Sequence, residues 1–183
     1  MNRNLSEVEG YLSGSKLRRE LQHDLEVFRI INEADFQSCL YYHLRQFFGR
    51  ATGWRIYAEK STPFGNIVDL VISQKSRDPE QGFKPRIAIE LKQSRDHISL
   101  KDRNSLGRSL KELRVHKVYL FTVNYRGEVY TKIKKQPGEK YRFHEVEVRP
   151  SKGLSNDPTK WLGMRSRIKH NRDLSKRNLT DHS

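Results

Sequence analysis

A single cysteine, Cys39, occurs among 183 residues, so an intrachain disulfide is excluded. The seven histidines fall in no paired Cys/His spacing, which removes the usual zinc-finger patterns as well. No stretch approaches the roughly 20 consecutive apolar residues that cross a bilayer, and the opening MNRNLSEVEG lacks the apolar run of a signal peptide. The expectation is a soluble cytoplasmic or otherwise intracellular protein with no membrane partner. Internal repeats and low-complexity tracts are absent. Hydrophobic residues are scarce at 34%, enough at this length for one modest core with polar extensions. Acidic residues are short too: 22 Asp+Glu stand against 36 Lys+Arg, for a net charge of +14.

A cation excess of this size favours polyanionic partners, because each Lys or Arg that neutralises a phosphate releases condensed counterions. Nucleic acid is the leading partner on that ground. A basic surface kept for solubility and an anionic membrane face are the alternatives, and charge alone names no reaction.

Hydrophobic periodicity divides the chain. In residues 15–31, Leu17, Leu21, Leu25 and Phe28 recur at helical spacing, with Ser15 as a candidate cap. A second helix is predicted from the N-cap Asn32, its apolar face formed by Phe36, Leu40, Leu44, Phe47 and Phe48, with Gly49 and Gly53 after its end. The period then drops to two. Residues 54–59 alternate, residues 66–73 read as a strand buried on both faces and broken only by Asp69, and residues 86–93 form another short apolar run beyond a polar loop at 74–85. Helical spacing returns over 100–114 at Leu106, Leu110 and Leu113, predicting a crossover into a parallel strand at 116–124. Weaker strands are predicted at 127–135 and 141–149. From Arg149 to Ser183, nine Lys+Arg against three Asp+Glu give 9 − 3 = +6 with few apolar residues, a basic tail. The expected organisation is an N-terminal helical extension (1–31), an α/β core with a mixed central sheet flanked by helices (32–148), and the basic C-terminal extension (149–183).

An unpartnered carboxylate in a core strand costs several kcal/mol, yet two neighbouring core strands each carry one. Asp69 interrupts Ile67, Val68, Leu70, Val71 and Ile72, while Glu90 interrupts Ile87, Ala88, Ile89 and Leu91. Lys92, two residues past Glu90, projects from the same strand face. Two converging carboxylates repel unless a divalent cation neutralises both, and hard oxygen donors suit Mg²⁺, with Mn²⁺ able to substitute. Such a site cleaves phosphodiesters: the metal activates water and a lysine positions it or stabilises the transition state.

The text Asn-Glu-Ala-Asp-Phe-Gln (32–37), Asn-Ile-Val-Asp-Leu-Val-Ile (66–72) and Ile-Ala-Ile-Glu-Leu-Lys-Gln (87–93) resembles the PD-(D/E)xK nuclease superfamily, which includes restriction endonucleases and Holliday junction resolvases. The resemblance extends over roughly residues 32–124. It implies a restriction endonuclease-like core and a Mg²⁺-dependent DNA endonuclease, with Asp69, Glu90 and the Leu91 backbone carbonyl holding metal and Lys92 assisting the attacking water. The helix acid of that family best matches Glu33, with Asp35 and Glu59 as competitors. Val68 stands where the family often has Pro, a residue that is not a ligand. Gln37, four residues from Glu33 on the same helix face, and Gln93 are possible supporting residues. Many relatives in the family dimerise, so a homodimer is a further possibility.

Blander readings stand beside these. Glu90 and Lys92 would also suit an exposed edge-strand ion pair worth about 0–1 kcal/mol, and Glu33 would suit simple placement of negative charge at a helix N-terminus. Cys39 and His43 read as packed helix surface, and His97 and His116 as solvated residues flanking the crossover. The segment 95–117 carries seven Lys+Arg against three acids, so Lys101, Arg103, Arg108 and Lys111 are candidate phosphate contacts. The rival functions are a non-catalytic nucleic-acid-binding module on the same fold and an RNA-directed nuclease.

Overall fold

The computed structural model describes residues 3–27, 29–30, 32–50, 53–63, 65–93, 100–124 and 143–150. Helix α1 (Leu5–Ser13) opens with a capping box: the Asn4 side chain accepts from the Glu7 N–H at 2.9 Å, and Glu7 reaches back to the Asn4 N–H. Periodicity did not anticipate this helix, since only Val8 and Leu12 are fully buried along it. Gly14 ends α1 and starts α2 (Ser15–Glu26). A Cβ at Gly14 would come within 2.6 Å of the Gly10 carbonyl oxygen, so only glycine fits this tight junction. Ser15 is therefore not the cap expected of it. Position 14 is the N-cap, and no side chain caps α2.

Leu17, Leu21 and Leu25 form the buried face of α2 as the spacing predicts. Asn32 caps α3 (Glu33–Phe48), accepting from the Asp35 N–H at 2.8 Å, and Phe36, Leu40, Leu44 and Phe48 are buried along it. Gly49 closes α3 with φ 53°, a backbone region that disfavours residues bearing a Cβ.

Among the described residues five strands follow: β1 (Trp54–Ser61), β2 (Ile67–Lys75), β3 (Phe83–Gln93), β4 (Lys117–Val123) and β5 (His144–Val148). They form one mixed sheet in the order β1-β2-β3-β4-β5. The first two pairings are antiparallel and the last two parallel. Helix α4 (Leu100–Leu113) makes the crossover from β3 to β4. The loop expected over 74–85 is shorter than composition suggested, because β2 runs on to Lys75 and β3 begins at Phe83, with a single 3-10 turn at Pro79–Gln81 between them. Pro85 is tolerated inside β3 at a register irregularity, opposite Ser73. The strand expected at 127–135 and the basic extension from 151 onward lie outside the described residues.

Both sheet faces are covered. On one side Val8, Leu12, Leu17, Leu21, Leu25, Phe36, Leu40 and Leu44 from α1 to α3 share a single cluster with Leu70, Ile72, Ile87, Ile89, Leu91 and Phe121. Phe36 meets Phe121 edge to face at 6.4 Å, tying α3 to β4. On the other side Leu106 and Leu113 of α4 pack with Val68, Val71, Ala88 and Val118. The described residues thus form an α/β protein with a five-stranded mixed sheet between helices. No helix among the described residues is long and apolar enough to cross a membrane.

Candidate active site

The antiparallel ladder between β2 and β3 runs Ile72 opposite Ile87, Val71 opposite Ala88, Leu70 opposite Ile89. One further step of that register sets Asp69 against Glu90. There the strands part from regular pairing. The Leu91 N–H donates to the Asp69 carboxylate Oδ2 at 2.6 Å, and the Gln37 side-chain amide of α3 donates to the Asp69 carbonyl at 2.8 Å. On the other flank Ala58 pairs with Leu70 and Lys60 with Val68, which leaves Glu59 level with Asp69, in a left-handed conformation at φ 50°.

Lys92 closes the group. Its Nζ lies 2.8 Å from Glu90 Oε1 and 3.9 Å from Glu33 Oε1. Glu33 owes its place to the Asn32 cap, which starts α3 one residue earlier. Because β3 is flanked by β2 on one side and β4 on the other, and the Glu90 and Lys92 side chains are only 18% and 31% exposed, this is not a solvated edge pair.

Burial and mutual charge govern how these groups titrate. Loss of water raises Asp69 above the ordinary carboxylate range; the Leu91 N–H and the Lys92 charge oppose the rise, and the charges of Glu33 and Glu59 add to it. Glu90 is raised by burial and then by the Asp69 charge, against the hydrogen bond from Lys92. Burial by itself pulls Lys92 down, but the hydrogen bond to Glu90 and the charges of Glu90, Glu33 and Asp69 outweigh it, so its net shift is upward and the amine is held as a cation. Among the described residues three carboxylates thus face one ammonium, and burial strains the charged form of the two deepest, with Asp69 adding to the strain on Glu90.

The structure brings Asp69, Glu90, Lys92 and Glu33 together, with Gln37 bonded to the Asp69 backbone and Glu59 acting through charge. Asp35 serves the α3 cap through its backbone N–H. The Leu91 side chain is buried in the core while its backbone sits between Glu90 and Lys92. Gln93 ends β3, and its side chain lies outside the description, as do those of Lys101 and Arg103 on the first turns of α4. Arg108 and Lys111 are exposed on α4.

No group of three or more His, Cys, Asp or Glu side chains able to hold a metal ion occurs among the described residues. Any metal at this site would rest on two carboxylates, a backbone carbonyl and water. That donor set fits Mg²⁺, which is usually bound through one or two carboxylates and keeps several waters.

A second polar cluster was not foreseen. Asp24 of α2 is 3% exposed. His43 Nε2 lies 2.6 Å from its Oδ2, and Arg29 Nη1 lies 3.0 Å from its Oδ1. Glu20 stands 3.7 Å from His43 Nδ1 and accepts from the Tyr11 hydroxyl at 2.7 Å. Burial, followed by the Asp24 charge and hydrogen bond, pushes the Cys39 thiol up to about 12, so it is an unreactive thiol. The sequence signal was Asp24 itself, a charge placed three residues after Leu21 on the apolar face of α2.

Comparison with protein-family models, with curated proteins and with solved structures finds no match to this chain.

Proposed function

We propose that this protein is a Mg²⁺-dependent nuclease hydrolysing phosphodiester bonds, a DNA endonuclease built on a restriction endonuclease-like core of the PD-(D/E)xK type with a basic C-terminal extension. The observation that carries the reading is the level placement of two half-buried carboxylates on adjoining core strands with a lysine cation between the inner one and the helix acid. Burying so many like charges around one ammonium has no benefit to folding, whereas a bound divalent cation would relieve it.

In this reading Asp69, Glu90 and the Leu91 carbonyl hold Mg²⁺. When bound, the metal supplies Lewis acidity toward water and phosphate oxygens. Lys92, held protonated by its neighbours, acts as a donor to the attacking water or to charge developing on the phosphate, not as a base. Glu33 steadies that ammonium from the start of α3. Arg108 and Lys111, with Lys101 and Arg103 on the same helix, offer cations to flanking phosphates, which position the substrate without reading its sequence.

Labelled duplex, branched and single-stranded DNA and RNA, each incubated with the full chain with and without Mg²⁺, test the reading directly. The expected result is product from DNA only when Mg²⁺ is present. Product from RNA alone would make this an RNA-directed enzyme, and salt-sensitive binding with no product from any substrate would leave a non-catalytic binding module.

A further inference from the structure

Gln37 lies outside every cluster of charge in the site, and its partner is a backbone atom 32 positions away. Its place matters because of what happens to β2 at Asp69. β2 pairs with β1 on one flank and with β3 on the other, and the ladder to β3 runs only as far as Leu70 opposite Ile89. At the next step the Leu91 N–H is taken by the Asp69 side chain instead, which bends the carboxylate back toward β3 and toward Glu90. Asp69 is skipped in the register on both flanks, although β2 continues to Ile67 along β1, so its carbonyl needs a partner from elsewhere. The Gln37 amide does so at 2.8 Å, from a helix whose first residue, one turn away, stands beside Lys92.

From this we infer that Gln37 is a positioning residue: its side-chain N–H replaces strand pairing at the Asp69 carbonyl and so keeps the Asp69 carboxylate on the Leu91 N–H, level with Glu90. One helix, α3, thereby sets both halves of the site, with Glu33 holding the Lys92 ammonium and Gln37 holding the Asp69 backbone four residues later. A donor is required at position 37, and a side chain of equal length that cannot donate will not serve. The consequence for catalysis rests on the nuclease reading; the positional consequence does not.

Two variants separate donation from packing. Gln37→Met keeps length without polarity, and Gln37→Glu keeps shape while losing the donor. Amide hydrogen exchange of the full chain without metal reports the Leu91 N–H directly. In both variants its exchange relative to the Ile89 N–H should quicken about fivefold, the factor that one neutral hydrogen bond represents. In parallel, the Mg²⁺ concentration giving half-maximal cleavage should rise by a similar factor, with the rate at saturating Mg²⁺ changed less. Unchanged relative exchange at Leu91 in both variants overturns the inference, and so does equal acceleration at Leu91, Ile89 and Val118, which would mark a general loss of stability. If the parent chain cleaves nothing but Leu91 responds as described, the nuclease reading fails and the positioning role stands. If the parent cleaves with Mg²⁺ and Leu91 does not respond, the reverse holds.

Discussion

Asp69→Ala and Glu90→Ala should each reduce Mg²⁺-dependent cleavage at least about 10³-fold, the rate equivalent of losing several kcal/mol of metal-borne charge stabilisation. Lys92→Ala should cost about 10²–10³-fold, as for a single donor aimed at developing charge. Nucleic-acid binding at low salt should stay close to that of the parent in all three, since the α4 cations proposed to contact phosphate are untouched. The check is single-turnover cleavage beside an equilibrium binding titration; an Asp69→Ala protein that cuts at the parental rate with Mg²⁺ supplied ends the assignment.

The same carboxylates make an opposite prediction for stability. Asp69 titrates above the ordinary carboxylate range when folded, chiefly through burial. As pH rises through the window between its unfolded and folded values, the native state retains the proton longer, so stability falls with rising pH. Below the ordinary carboxylate range that penalty is absent; above the raised folded value it is complete. Asp69→Asn never ionises and can still accept from the Leu91 N–H. Without metal it should therefore melt at a higher temperature than the parent at neutral pH, and the difference should vanish in strong acid. Mg²⁺ should narrow the gap by stabilising only the parent. Identical melting of the two proteins at neutral pH in a chelator would mean that Asp69 is not strained. A folded state that bears such a cost is the usual mark of a residue kept for function.

Asp24→Ala is expected to lower unfolding free energy by about 3 kcal/mol. The Asp24 side chain is 4% exposed and joins α2 to α3 through His43 at 2.6 Å. Its removal leaves a largely buried imidazole without that acceptor and releases Arg29. Asp24→Asn keeps an acceptor in place and should cost about 1 kcal/mol. Denaturant unfolding with an unchanged slope measures both. A loss below about 0.5 kcal/mol for the alanine variant would show that the cluster contributes nothing net to the packing of these helices.

Residue order carried the local parts of this structure plainly. Asn32 at the head of an apolar 3.6-residue repeat foretold α3 and its cap, and the change to a two-residue repeat marked β1 to β3. The apolar run broken once at Asp69 and once at Glu90 singled out two carboxylates before any geometry was known. Glu90 and Lys92, two apart on a strand, had to share a face, and their hydrogen bond is the outcome. Helix α1 is weakly marked by periodicity because its buried stripe is two residues wide, although Asn4 and Glu7 spell its capping box.

Other features belong to contacts between distant segments. The register that sets Asp69 level with Glu90, the Gln37 amide on a carbonyl 32 residues away, Glu33 and not Asp35 beside Lys92, and the Asp24–His43 bond between two helices depend on how the layers pack. By itself, the sequence determined which segments coil, which extend and which side chains each turns inward, because those periods follow from backbone geometry within a few residues. Only the tertiary structure decided which inward-turned groups meet, because strand register and helix docking are chosen by the fit of all the buried side chains at once and by no segment alone.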